Sequence, residues 1–242
     1  MKFIKLDKTD STNNWIKAHI EELDSPCAVF AVSQTQGRGQ RGNSWESEPG
    51  KNLTISFLFY PEGVKATEQF PVSEAVALGV CDFIEDKGVK AKVKWPNDVY
   101  VGDRKISGIL IENSVLGDKL KSMIAGIGIN LNQENFLSDA PNPVSLTQLT
   151  GETYDIEESA LLLGKKIQYR IEAIGGNPDA LHEEYIKRLW RNDHGIYPFN
   201  DRKENERINA SIESVEKSGV LTLRKEDGIL RQYLFKEVEF LL

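Results

Sequence analysis

The sequence predicts an α+β fold, a sheet with flanking helices followed by a small all-β unit. Three observations carry this. Runs at strand spacing alternate with runs at helical spacing as far as residue 191. A Gly102-Asp103 pair between Val99-Tyr100-Val101 and Arg104-Lys105-Ile106 is a two-residue hairpin signal, which demands antiparallel pairing. From about Asn192 the helical spacing stops, and short β-type runs separated by turn residues take over. The expected division is therefore 1–191 and 192–242.

Composition sets outer bounds. The 242 residues are 40% hydrophobic and 28% charged, ordinary for a globular chain with a sizeable core. No apolar run approaches the roughly 18 residues of a membrane span, and MKFIKLDKTDSTNN contains no apolar signal segment. Cys27 and Cys81 stand without CxxC or histidine spacing, which suggests buried free thiols in a reducing, cytoplasmic setting. The net charge of −7 argues against a general nucleic-acid surface. Charge is uneven, however. From Lys90 to Lys105 there are five basic and two acidic residues, a local balance of +3 that suits a small anion such as a nucleoside triphosphate.

In chain order, Phe3-Ile4-Lys5-Leu6 reads as a strand. Asp10-Ser11-Thr12-Asn13 then leads into Trp15, Ile16, His19, Ile20 and Leu23, one face of a helix that Asp10 or Ser11 caps. Exposed hydroxyls beside free helix N–H groups also suit a small polar ligand. Cys27–Val32 has the length and composition of a buried strand. It feeds Gly37-Arg38-Gly39-Gln40-Arg41-Gly42-Asn43-Ser44-Trp45, where glycines allow close backbone approach, arginines offer fixed-charge donors and Trp45 offers a flat apolar face. Read alone, that segment is a flexible surface loop or an RG-type nucleic-acid contact.

Asn52–Tyr60 is strongly β-type. Residues 68–87 have helical spacing, with Gly88 as the stop. In the central hairpin a regular register sets Val101 opposite Arg104, Tyr100 opposite Lys105 and Val99 opposite Ile106. Val99, Val101 and Ile106 then face inward, and Asp98, Tyr100, Lys105 and Ser107 share the other side. Met123–Leu131 reads as a strand with close-approach glycines. Ser145–Gly151 forms a short helical turn, and Ile156–Ile174 and Pro178–Trp190 are amphipathic helices. Arg207–Val215, Val220–Arg224 and Gln232–Phe240 are the C-terminal β-runs. His182 and His194 show no ligand spacing, and no protein metal site is expected.

Four segments in order, Ser11–Asn13, Gly37–Trp45, Lys94–Gly108 (beginning KWPND) and Gly126–Asn130, resemble the biotin protein ligases, that is, biotin–[acetyl-CoA-carboxylase] ligases. The resemblance covers nearly the whole chain. It implies a mixed, largely antiparallel sheet of the class II aminoacyl-tRNA synthetase-like kind and an SH3-like C-terminal barrel. It also implies a two-step reaction, in which biotin and ATP give biotinyl-5′-AMP and the biotin then passes to a lysine of a biotin carboxyl carrier protein.

Carried over residue by residue, Ser11, Thr12 and Asn13 contact the ureido ring of biotin, and Gln34, Arg38, Gly39, Gln40, Lys105 and Gly108 complete its site. Gln40 stands where some members carry arginine, which removes a charge at that position. Arg38, Arg41, Trp45, Lys94, Asn97, Asp98, Lys105 and Asn130 fall on the ATP side. Lys105, Arg38 and Asp98 carry the chemistry, with Mg²⁺ held by phosphates and water. The glycine-rich segment is expected to be disordered when empty and to close on ligand. The resemblance is to the short form without an N-terminal DNA-binding region, so no DNA and no membrane partner are expected, in a monomer or homodimer. A lipoate or octanoate ligase of the same superfamily is the alternative, but those carry an RRxSGGG-type loop where this chain has GRGQRGNSW. A non-catalytic RNA-binding module is opposed by the charge, and a biotin-fold protein without activity by the presence of both Lys105 and Arg38.

Overall fold

The structure is a computed structural model and describes residues 1–23, 26–61, 65, 69–137 and 142–242. Seven strands form the main sheet: β1 (Lys2–Thr9), β2 (Cys27–Gln34), β3 (Leu53–Phe59), β4 (Lys92–Lys94), β5 (Asp98–Val101), β6 (Arg104–Leu116) and β7 (Lys119–Ile129). Their order is β1-β2-β3-β7-β6-β5-β4. Only the β1–β2 pair is parallel, so the sheet is mixed and largely antiparallel.

One face of this sheet is covered by α2 (Phe70–Glu85), α4 (Ile156–Gly176) and α5 (Pro178–Lys187). Ile55, Phe57, Ala125, Ile127 and Ile109 point into that core, alternating along their strands as one buried face requires. The opposite face is half covered. There α1 (Thr12–Ala18) seats Ile16 against Cys27, Val29, Leu58 and Ile124, and the rest of the face is left for a cavity.

The helix-stop signals hold, whereas α1 lacks the side-chain cap expected of Asp10 or Ser11. Gly88 has φ +78° after α2, and α3 (Leu146–Thr150) opens on a reciprocal Ser145–Gln148 capping box and ends on Gly151 at φ +77°. Between α2, α4 and α5, Arg170 grips Asp82 at 2.6 and 2.9 Å, and Arg188 reaches the same carboxylate at 2.8 Å.

The hairpin register is right at the turn and wrong two residues later. Val101 pairs with Arg104 and Tyr100 with Lys105, but a bulge then sets Val99 against Ser107 and Asp98 against Gly108. An added residue in one arm lets Val99 and Ile106 both stay buried while Lys105 turns toward the cavity. On the polar side of the hairpin Tyr100 is buried, its ring tilted against Trp190 at 5.1 Å.

The C-terminal strands are β8 (Tyr197–Asp201), β9 (Glu206–Val215), β10 (Leu221–Lys225), β11 (Leu230–Tyr233) and β12 (Val238–Phe240). They form an antiparallel sheet, ordered β11-β10-β9-β8-β12, that is open with β11 and β12 at its edges where the sequence suggests a barrel. Gln232–Phe240 is two strands rather than one. The apolar pair Leu234-Phe235 lies in the turn between them, and Phe235 stacks edge-on against Trp95 at 5.3 Å. Trp95 also donates Nε1–H to the Gly219 carbonyl at 3.1 Å, so the KWPND turn is pinned to the C-terminal sheet. The hydrophobic core runs without a break through both sheets.

Candidate functional site

The uncovered part of the main sheet floors a cavity of about 670 Å³. Its floor follows from strand register. Ser56, Gly126 and Leu110 form one row across β3, β7 and β6, and Thr54, Gly128 and Gly108 form the next. Glycine at three of these six positions lowers the floor, and side chains from above fill the space. A Cβ at Gly126 would stand 2.3 Å from Asn13 Oδ1, and one at Gly128 would stand 2.2 Å from Trp45 Cε2.

One end of the cavity is uncharged and hydrogen-bonding. The backbone N–H of Thr12 donates to Gln34 Oε1 at 2.8 Å. Ser56 Oγ lies 2.6 Å from both Thr12 Oγ1 and Asn13 Oδ1. Asn13 Oδ1 only accepts, so the serine proton faces it, and the single Thr12 hydroxyl proton is within reach of both the serine oxygen and Gln34 Oε1, the latter at 3.2 Å. Ser11 is the helix N-cap but makes no side-chain capping bond; Asp10 instead accepts Ser11 N–H at 2.6 Å.

The other end is charged. Lys105 Nζ and Asp98 Oδ1 are 2.7 Å apart, each side chain about one-fifth exposed, and the ammonium lies 5.8 Å from the Trp45 ring centroid. Lys94 lines the same end, donating to Tyr100 OH at 3.2 Å. Burial pulls its ammonium below the usual lysine range, against the opposing effect of Asp98. Asn97 is tied to the β6 backbone, its Nδ2 donating to the Ile109 carbonyl at 2.8 Å. Arg202, Lys236, Glu239 and Phe240 of the C-terminal sheet wall this end.

Of the residues expected from the sequence, Ser11, Thr12, Asn13, Gln34, Arg38, Gly39, Gln40, Trp45, Lys94, Asn97, Asp98, Lys105 and Gly108 all line this cavity. Asn130 does not. It is buried, and its Nδ2 donates to the Val144 carbonyl at 3.1 Å, so it ties β7 to the segment before α3 rather than facing a phosphate. The side chain of Arg41 lies outside what the structure describes.

Arg38 and Lys105 share the cavity but stand at opposite ends. The Arg38 guanidinium bonds Glu112 at 3.0 and 3.3 Å and Asn14 Oδ1 at 2.9 Å. At about 3.3 Å of rise per residue, Glu112 lies roughly 13 Å along β6 from Gly108, which the Lys105 chain crosses. The glycine-rich segment is a small hairpin closed by Gly39 N–H to Asn43 O at 2.7 Å and Trp45 N–H to Gly37 O at 2.9 Å.

Sequence reading missed Thr54, Ser56, Glu112 and the C-terminal wall. Polar residues at alternate positions of the apolar run NLTISFLFY were the available signal for Thr54 and Ser56. The wall residues carry no local signal, because only packing brings them to the cavity.

The family model for the biotin/lipoate A/B protein ligase family matches residues 3–130. This chain belongs to that family. A biotin–[acetyl-CoA-carboxylase] ligase of Paracoccus denitrificans is 30% identical, over 92% of this chain and 94% of its own length. The bifunctional ligase/repressor BirA of Escherichia coli is 29% identical over 95% of this chain, which spans 71% of that protein; for the Bacillus subtilis BirA the span is 63%. Among solved structures, the biotin protein ligase of Aquifex aeolicus in complex with biotin and ATP superposes with a TM-score of 0.80 at 26% identity, covering 98% of this chain and 97% of that one. No helix among the described residues is long and apolar enough to cross a membrane.

Proposed function

We infer that the chain is a biotin protein ligase, which activates biotin with ATP to biotinyl-5′-AMP and transfers the biotin to a lysine of a biotin carboxyl carrier protein. The observation that carries this is the cavity's two-ended chemistry. Neutral donors and acceptors from Thr12, Asn13, Gln34 and Ser56 suit a cyclic urea at one end. A lysine and a tryptophan suit an adenylate at the other. The biotin and ATP named for the Aquifex aeolicus complex fit these two demands. Lipoate, whose ring lacks hydrogen-bonding nitrogen, would leave the hydroxyl end unanswered.

In the first step the biotin carboxylate attacks the α-phosphorus and pyrophosphate leaves. Two anions must meet, so charge compensation and alignment dominate. Lys105 is the residue we assign to that junction. Its ion pair with Asp98 holds the ammonium over Gly108 and beside Trp45, where an acyl and a phosphoryl oxygen would share it. Among the described residues no group of three or more His, Cys, Asp or Glu could hold a metal. In this reading a Mg²⁺ ion would be held by phosphate and water oxygens and would shield the pyrophosphate.

In the second step the carrier lysine's amine attacks the mixed anhydride, its proton leaves and AMP departs. We assign Asp98, paired with Lys105, to orient that amine or accept its proton. Glycine-rich residues 37–45 cover the intermediate and keep water out.

The SH3-like reading of residues 192–242, and the division of the chain at 191, rest on the resemblance and on strands β8–β12 forming a sheet of their own. Cytoplasmic location and the absence of a DNA partner rest on the resemblance and composition. The test of the reaction is incubation with biotin, MgATP and a carrier domain, followed by intact mass. One added biotinyl group on a single lysine supports the assignment. An unmodified carrier, with lipoate bound in preference to biotin, would turn it to the lipoyl branch of the family.

A further inference from the structure

Glu112 has no part in the reaction as described, yet four contacts from three side chains converge on its carboxylate, and a fourth side chain completes the cluster. Oε1 accepts from Lys17 Nζ at 2.7 Å and from an Arg38 nitrogen at 3.0 Å. Oε2 accepts from Asn13 Nδ2 at 2.9 Å and from the other Arg38 nitrogen at 3.3 Å. Asn14 Oδ1 completes the set on Arg38 at 2.9 Å. Burial pushes the Glu112 carboxyl up, but hydrogen bonds from Lys17 and Asn13 and the nearness of Lys17 and Arg38 outweigh it and hold the group below the usual range.

Two consequences follow from the geometry. The Asn13 amide is oriented by the carboxylate: its nitrogen faces Glu112 and its oxygen takes the Ser56 proton, and turning it over would set its oxygen against the carboxylate and lose the Glu112 bond. The glycine-rich segment, through Arg38, is held to the sheet at this same carboxylate. An isolated exposed ion pair contributes little, and Arg38 and Lys17 are 40% and 44% exposed. A two-pronged arginine contact and an amide meeting on a carboxylate only 20% exposed is a stronger arrangement.

We propose that Glu112 is the positioning residue of the biotin end: it aims the Asn13 amide and, through Arg38, docks the glycine-rich segment over biotin. This rests on the biotin reading of the cavity. It also separates two duties that the sequence gives to one arginine, because Arg38 docked here closes the biotin end and leaves the phosphate end to Lys105.

The test uses the full chain. Biotin affinity is measured by titration calorimetry, and pyrophosphate exchange by varying biotin and MgATP separately, for wild type, Glu112→Gln, Arg38→Met and the double variant. Loss of one charged hydrogen-bond set is expected to raise the biotin Kd of Glu112→Gln about tenfold. KM for MgATP should stay within about twofold, and in the Arg38→Met background the Glu112→Gln effect should shrink to about threefold or less. Trypsin should cut after Arg38 or Arg41 faster in Glu112→Gln than in wild type, and biotin should protect the wild type. Unchanged biotin affinity and unchanged cleavage in Glu112→Gln, or an equal rise in both KM values, would overturn the inference. A wild type that binds no biotin would overturn the cavity's reading as well, so the two failures are distinguishable.

Discussion

Gly126→Ala places one methyl group in the floor of the cavity, and the structure fixes what it meets. The new Cβ would stand 2.3 Å from Asn13 Oδ1, 2.9 Å from its Cγ and 3.1 Å from its Nδ2. Ordinary contact needs about 3.5 Å, so the carboxamide must retreat by roughly 1.2 Å. Asn13 sits in the first turn of α1, buried, with Thr12 beside it tied to Gln34, so the backbone has little room to give. The retreat stretches the Ser56 bond from 2.6 Å and the Glu112 bond from 2.9 Å toward or past the range of a hydrogen bond. One neutral and one charged bond together contribute about 2–4 kcal/mol. Alanine's advantage over glycine in the unfolded chain, about 0.4–1 kcal/mol, does not offset that. Some of the loss falls on folding. The remainder, about 1.4 kcal/mol or more, should raise the biotin Kd at least about tenfold, at roughly 1.4 kcal/mol per factor of ten. Calorimetric titration with biotin, beside a KM for MgATP that stays near wild type, is the measurement. Biotin affinity within threefold of wild type would show that the Asn13 amide is not part of the biotin end.

Gly128→Ala meets the Trp45 indole at 2.2 Å instead, on the glycine-rich segment, and should raise KM for MgATP more than KM for biotin in pyrophosphate exchange. Lys105→Ala should lower the pyrophosphate exchange rate on the order of 10³-fold, while the partly exposed ion pair with Asp98 changes thermal stability by less than about 1 kcal/mol. Exchange at the wild-type rate would remove Lys105 from the mechanism. Asp82→Asn takes the shared anion from two half-buried arginines and should destabilise by about 3 kcal/mol in urea, with biotin affinity unmoved. Burial pushes the Asp82 carboxyl up, but Arg170 and Arg188 more than reverse this and hold it below the usual range. Its folded pKa is thus below its unfolded one. The stabilisation is present in full above the unfolded value, near 3.9, and is lost as pH falls through that value and below; Asp82→Asn should flatten the acid limb of the stability curve. Trp95→Ala removes both the Gly219 bond and the packing on Phe235 and Phe240, and should cost about 3–5 kcal/mol in the same urea titration.

What the sequence determined by itself is whatever is encoded within a few residues. The helix stops at Gly88 and Gly151 need only a left-handed backbone where glycine stands. The pairing of Tyr100 with Lys105 needs only a two-residue turn. The motif residues that line the cavity, from Ser11 to Gly108, were legible because their order and types repeat those of a family. The tertiary structure decided everything that depends on register between distant strands. A bulge after Lys105 moved Ser107 opposite Val99, which no hairpin rule foresees because an extra residue costs little locally. The row of Ser56, Gly126 and Leu110 exists only once three strands lie side by side, and it makes Asn13 part of a buried relay. Asn130 carries the right residue type at the right place in its motif, but its amide is turned to the Val144 carbonyl by a segment arriving from 14 residues further on. The Arg38 charge likewise rests on Glu112, 74 residues away, because a guanidinium settles on the carboxylate that packing brings within reach, and spacing along the chain holds no record of that distance.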